Sequence, residues 1–104
     1  MLNVAMLGAS GRMGRTIVPL IVHSSDLRLS GALAAAGDAH VGHDAGVVSG
    51  TAPLAVSITS DAGRALEGAQ VAIDFTLPAA SLAHARLCLA LKVPLVIGTT
   101  GHDE

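Results

Sequence analysis

At 104 residues the chain suits one domain, since single domains typically run to about 100 to 150 residues. Charged residues make up 13% and the net charge is -2, which leaves no basic stripe to grip nucleic acid and no polybasic patch for a membrane surface. Half the residues are apolar, yet Phe75 is the lone aromatic, so the core rests on Ala, Val, Leu and Ile, as suits a parallel sheet covered on both faces.

Val4-Ala5-Met6-Leu7 is an apolar run with strand propensity that feeds into Gly8-Ala9-Ser10-Gly11-Arg12-Met13-Gly14, and a helical stretch follows. A strand, a glycine turn and a helix start place backbone N–H groups and the positive end of a helix dipole where a pyrophosphate can sit. Glycine is needed where a side chain would block that approach. The spacing is G-x-x-G-x-x-G, one residue longer in its first half than the usual dinucleotide pattern, while Gly11 and Gly14 keep the second half. A merely structural turn is the other reading, and the position directly behind a strand favours the nucleotide loop. The apolar run is too short to span a bilayer and has no basic leader, so neither a signal peptide nor a transmembrane helix is expected and the protein is read as cytoplasmic.

Arg12 to about Ser24 reads as a helix with Ile17, Leu20 and Ile21 facing the core, and Pro19 predicts a kink or an early end. Leu27 to Leu33 reads as the second strand, with Leu27, Leu29, Gly31 and Leu33 on one side, which completes a βαβ unit. A dinucleotide domain reads the adenosine ribose at the end of this strand, through an acid about 20 residues beyond the glycines. Here that slot holds Ala34-Ala35-Ala36, with neither a carboxylate for the ribose nor an arginine for a 2′-phosphate. Asp38 lies a few residues later and reads first as a solvated loop acid, with ribose contact as the alternative; Arg12 is the nearest cation in sequence.

Residues 37 to 53 are punctuated by glycine and read as a long surface loop. His40 and His43, flanked by Asp38 and Asp44, lack a dense ligand cluster and are read as solvated histidines, with no metal site. Val56 to Thr59 reads as a short strand, Ser60 as a helix cap, and Asp61 to Glu67 as a short helix ending at Gly68. Val71 to Phe75 reads as a buried strand whose Asp74 falls at the carboxyl end, where open α/β sheets bind ligands, or else caps the loop. Pro78 opens a helix to about Leu91 with Leu82, Ala85, Cys88 and Leu89 inward, and Cys88 reads as a buried hydrophobe instead of a nucleophile. His23 and His84 read as packing or surface residues on helices. Pro94 to Ile97 is the last strand, and Gly98-Thr99-Thr100-Gly101 offers N–H groups, hydroxyls and room for a flat ring, or is a plain turn. His102-Asp103-Glu104 reads as the first turn of a further helix, so the domain looks cut.

Val-Ala-Met-Leu-Gly-Ala-Ser-Gly-Arg-Met-Gly-Arg, Ile-Asp-Phe-Thr-Leu-Pro and Val-Ile-Gly-Thr-Thr-Gly together resemble the dihydrodipicolinate reductases of bacterial lysine and diaminopimelate synthesis. The likeness spans the whole chain and includes Asp44-Ala45-Gly46. It implies an α/β fold of the Rossmann-like kind, a doubly wound parallel sheet in three layers, with residues 1–104 as the dinucleotide-binding domain. It implies NADH or NADPH as cofactor, with Gly8, Ala9, Ser10, Gly11, Arg12 and Met13 on the pyrophosphate and adenosine side. Phe75, Thr76, Gly98, Thr99 and Thr100 would line the nicotinamide end.

The chemistry so implied is hydride transfer to a small cyclic dihydropyridine-type dicarboxylate, in a complete enzyme that is a homo-oligomer. In the resembled family a second domain holds the substrate and donates the proton through a His-His pair, a lysine and an Asp-Ala-Pro-Ser-Gly-Thr stretch. None of these is in this sequence, so it carries no assigned catalytic residue and is expected to be inactive alone. The family's Glu-Arg pair falls on Ala34 and Ala35, which implies weak discrimination between the cofactors, leaning to NADPH through Arg12. A reading from another class is a stand-alone NAD(P)-binding or sensing module without catalysis.

Overall fold

The computed structural model describes residues 1–98; Thr99, Thr100 and the helix start expected at residues 102–104 lie outside them. Five strands, β1 (Leu2–Leu7), β2 (Leu27–Leu33), β3 (Ile58–Thr59), β4 (Val71–Asp74) and β5 (Leu95–Ile97), form one sheet in the order β3-β2-β1-β4-β5. Every pairing is parallel. Parallel neighbours need crossovers, and these are α1 (Arg12–His23), α2 (Ala45–Val48), α3 (Ala62–Ala65) and α4 (Pro78–Leu91). The chain adds β2 and β3 on one side of β1, then returns to add β4 and β5 on the other. That reversal beside β1 is the topological switch point, where a crevice opens at the strands' carboxyl ends.

Alternation along β1 divides the core into two layers. Val4 and Met6 face one layer with Val18 and Ile21 of α1, Leu29, Ala32, Ala45 and Ile58. Ala5 and Leu7 face the other with Leu33, Ala65, Leu66, Ala72 and Cys88. Helices thus cover both faces, and the near-continuous aliphatic strands follow from burial on both sides.

The pairing of β1 with β2 skips a residue: Val4 meets Leu29 but Ala5 meets Gly31, leaving Ser30 as a bulge. One extra residue flips the side chains beyond it. The single-sided run expected in β2 is therefore split, with Leu27 and Leu29 on the α1 layer and Leu33 on the other, beside Gly31, where a Cβ would overlap the Ala65 carbonyl.

The helix faces also differ from expectation. In α1 the buried residues are Gly14, Val18 and Ile21, while Leu20 is 62% exposed. Gly14 sets this phase, because a Cβ there would overlap the Gly8 carbonyl and Ala9, so the helix can approach the turn only on that side. Pro19 does not end α1, which runs on to His23; the missing bond would have gone to the Arg15 carbonyl, on an exposed residue where water can serve. In α4, Ser81 and Cys88 are buried, while Leu82 and Leu89 point to solvent. The surface loop contains a short helix, α2, because Asp44 caps it by accepting from the Val47 N–H at 3.1 Å. Asp61, not Ser60, caps α3, accepting from the Arg64 N–H at 3.2 Å.

Candidate functional site

A cleft of about 400 Å³ opens at the carboxyl ends of β1, β2 and β4. Its walls are the glycine turn (Gly8, Ser10, Gly11), the end of β2 with Ala34 to Ala36 and Asp38, and the loop after β4 with Phe75, Thr76 and Leu77, closed by Ala80 and His84 of α4. The glycine turn, the end of β2 and the loop after β4 are remote in sequence and meet because the strand order reverses beside β1.

The turn is anchored from below. The Gly8 and Ala9 N–H groups both donate to the Leu33 carbonyl, at 2.9 and 2.8 Å, which ties it to the end of β2. Gly8 adopts φ +89°, the left-handed region that favours glycine, and a Cβ there would press on Thr76 Cγ2 at 3.2 Å and the Phe75 carbonyl carbon at 3.3 Å. Gly11 differs. Its nearest atom would be the Gly8 oxygen at 3.5 Å, an ordinary contact, so packing within the protein does not require a glycine at this position.

Gly11 is also the N-cap of α1 and supplies no side-chain hydrogen bond, and the first turn of the helix has no acid. The first N–H groups of a twelve-residue helix are thus left uncapped beside the cleft, with the positive end of its dipole. An anion bound here would satisfy them. Of the other residues expected on this side, Ser10 lines the cleft and Ala9 is buried beneath it, while Arg12 and Met13 are exposed on the first turn of α1 and do not line it.

Asp38 comes back to the turn. Its Oδ2 accepts from Ser10 Oγ at 2.8 Å and its Oδ1 from the His40 N–H at 2.8 Å. The His40 N–H and then the Ser10 hydroxyl hold its carboxyl below the ordinary carboxylate value, with His40 and Arg15 adding positive potential.

At the opposite wall, Asp74 is fully buried. Its Oδ1 accepts from the Thr76 N–H at 2.7 Å and from the Thr76 hydroxyl, and its Oδ2 lies 2.8 Å from His84 Nδ1. Thr76 Oγ1 is also 3.2 Å from Ser81 Oγ, closing a polar set between β4 and α4. Sequence reasoning assigned His84 no role; its placement ten residues after Asp74, across a loop and two helical turns, was the available signal. Phe75 and Gly98 are in contact, since a Cβ on Gly98 would overlap the phenyl ring, and the Gly98 N–H donates to the Asp74 carbonyl at 2.8 Å; Phe75 lines the cleft and Gly98 does not. Cys88, 1% exposed, has its thiol pushed up by burial and then by the charge of Asp74, which keeps it unreactive. Among the described residues no three His, Cys, Asp or Glu side chains group as metal ligands.

This geometry can hold a long anionic ligand across the switch point. The family described as dihydrodipicolinate reductase, N-terminus, matches residues 2–104. The chain belongs to that family. The N-terminal domain of these reductases is the half that binds the pyridine nucleotide. A 4-hydroxy-tetrahydrodipicolinate reductase of Nitrosomonas europaea is 48% identical over 100 residues, covering 96% of this chain and 37% of that protein. One from Anaeromyxobacter dehalogenans strain 2CP-1 is 48% identical over 101 residues, covering 97% of this chain and 37% of that protein. A solved structure of a dipicolinate-bound dihydrodipicolinate reductase from Paenisporosarcina sp. TG-14 superposes with a TM-score of 0.74 at 27% identity, over 97% of this chain and 38% of that one. The chain therefore spans little more than a third of the length of these reductases. No helix among the described residues is long and apolar enough to cross a membrane.

Proposed function

We propose that this chain is the cofactor-binding half of a cytoplasmic dihydrodipicolinate reductase, holding NADH or NADPH in the switch-point cleft. The observation that carries this reading is the uncapped N-terminus of α1, reached past a Gly11 that packing does not demand. The residues fit the group: the space above Gly11 is free for a pyrophosphate, and the uncapped N–H groups give it donors. Ser10, Ala34 and Asp38 would flank the adenosine ribose, and Phe75, Thr76 and Gly98 the nicotinamide end; Thr99 and Thr100 are assigned there by family likeness alone.

When bound, the reduced nicotinamide supplies the hydride for a cyclic dicarboxylate substrate of the dipicolinate class. The chain's own residues bind and orient. The phenyl ring of Phe75, in contact with Gly98, gives the cleft an apolar surface on one side, while Asp74 holds the His84 ring at its edge. Substrate clamping and proton donation belong to the part of the reductase that these residues do not represent.

Titrating NADH and NADPH into the full chain and following nicotinamide fluorescence tests the reading. Saturable enhancement with at least one of them is expected. A folded chain that binds neither at millimolar concentration would remove it.

A further inference from the structure

We propose that Asp38, held at the glycine turn by Ser10, reads the adenosine ribose in place of the missing acid at Ala34 and makes the site prefer NADH to NADPH. The inference rests on the dinucleotide reading of the cleft. Gly37, at φ +87°, reverses the chain after β2, and the Asp38 N–H closes this turn on the Ala35 carbonyl at 3.0 Å. An acid four residues beyond the usual slot is thereby folded back beside it. The slot holds only alanine methyl groups, and Ala34 to Ala36, Asp38, Ser10 and Gly11 line the same cleft, with Asp38 bonded across to Ser10.

A carboxylate offers about four lone-pair positions. Two are taken, one on each oxygen, by Ser10 Oγ and the His40 N–H. The remaining two can accept from the vicinal hydroxyls of an unmodified ribose. A 2′-phosphate has no such donor and brings a like charge next to Asp38, which disfavours it. The arginine whose charge reaches this carboxylate is Arg15, whereas Arg12 does not line the cleft. With Asp38 neutralised, no like charge opposes a 2′-phosphate there and the positive field of Arg15 favours it. This replaces the NADPH lean expected from Ala34 and Arg12.

The test is to measure dissociation constants of NADH and NADPH in the full chain, for the unaltered protein, Asp38→Asn and Ser10→Ala, with circular dichroism confirming the fold of each. The unaltered chain is expected to bind NADH more tightly. Asp38→Asn should weaken NADH about tenfold, the loss typical of a hydrogen bond to a charged group, and strengthen NADPH so that the order inverts. Ser10→Ala, which releases the carboxylate without removing it, should move the ratio the same way by a smaller factor. Equal affinities or an NADPH preference in the unaltered chain, or a ratio that Asp38→Asn leaves unchanged while both cofactors still bind, overturns the proposal. Absence of binding to either cofactor by the folded unaltered chain removes the dinucleotide reading and this inference with it, an outcome distinct from retained binding without discrimination.

Discussion

His84 Nδ1 lies 2.8 Å from Oδ2 of Asp74, a carboxylate with no exposed surface, while the imidazole itself borders the cleft. With Asp74 ionised, the carboxylate only accepts, so the ring must carry its proton on Nδ1, and the neutral ring presents Nε2 as an acceptor. Nitrogen NMR of the neutral imidazole is predicted to show the Nδ1–H tautomer for His84. Finding the Nε2–H form would contradict this arrangement. Thermal or urea unfolding should show His84→Ala destabilised by about 1–3 kcal/mol, the cost of leaving a buried acceptor one partner short.

The glycines of the turn separate binding from folding. Gly14→Val forces a branched side chain into the Gly8 carbonyl and Ala9, and should cost about 1–3 kcal/mol of stability or more. A Cβ at position 11 meets only an ordinary contact with Gly8, so Gly11→Val should cost no more than about 1 kcal/mol, the preference of an N-cap for glycine over valine, and less than Gly14→Val, while NADH affinity falls at least tenfold. Equal destabilisation of both variants would mean that Gly11 serves packing after all.

Asp44 holds the segment between α2 and β3. It accepts from the N–H groups of Val47, Leu54 and Val56, at 3.1, 3.0 and 3.0 Å. Burial by itself would raise its pKa, but the backbone N–H groups of Leu54, Val47, Val56 and Gly46 outweigh it, and the value lies below the ordinary 3.8. A carboxyl whose pKa is lower in the folded state stabilises above its unfolded value, and the contribution is lost as pH falls through the lower folded value. Stability should therefore decline below about pH 4, and Asp44→Asn should flatten part of that slope. At neutral pH, Asp44→Ala should cost about 1–2 kcal/mol, as for loss of a helix cap. An acid profile unchanged by Asp44→Asn would assign the slope to other carboxyls, Asp38 first.

Much of the fold was legible because glycine, proline and aliphatic runs act locally. Gly8 to Gly14 marked the turn, Pro78 the start of α4, and Leu27–Leu33 the second strand to the residue. The facing of side chains was not legible, because it depends on partners remote in sequence. The Ser30 bulge flips β2, and the Gly14 contact with the turn rotates α1 so that Leu20 faces out. The same holds for the site. The glycine turn could be read directly, whereas the return of Asp38 to Ser10 depends on the turn at Gly37, and His84 acquires a partner only when α4 packs over β4. Periodicity gave α4 a leucine face, but its inward positions are shared by the polar Ser81 and His84, and that lowers the weight of an aliphatic stripe as a guide.

By itself the chain is predicted to show no reductase turnover. The chain spans 37% of the length of the curated relatives it matches. An assay of NADPH oxidation with the pathway substrate should give no rate above the enzyme-free control. A chain-dependent rate would turn attention to His84, which borders the cleft and could donate a proton from its imidazolium form.

The central claim is that a pyridine dinucleotide lies across the cleft between the glycine turn and the loop after β4, and mapping backbone amide shifts in the NMR spectrum as NADH is added tests it most directly. The predicted result is that the amides from Ser10 to Gly14, Ala34 to Asp38 and Phe75 to Thr76 move together with one dissociation constant. Shifts gathered instead around Ala55 to Ser60 beside β3, where a second cavity of about 450 Å³ opens, would contradict it, as would a spectrum that NADH leaves unchanged.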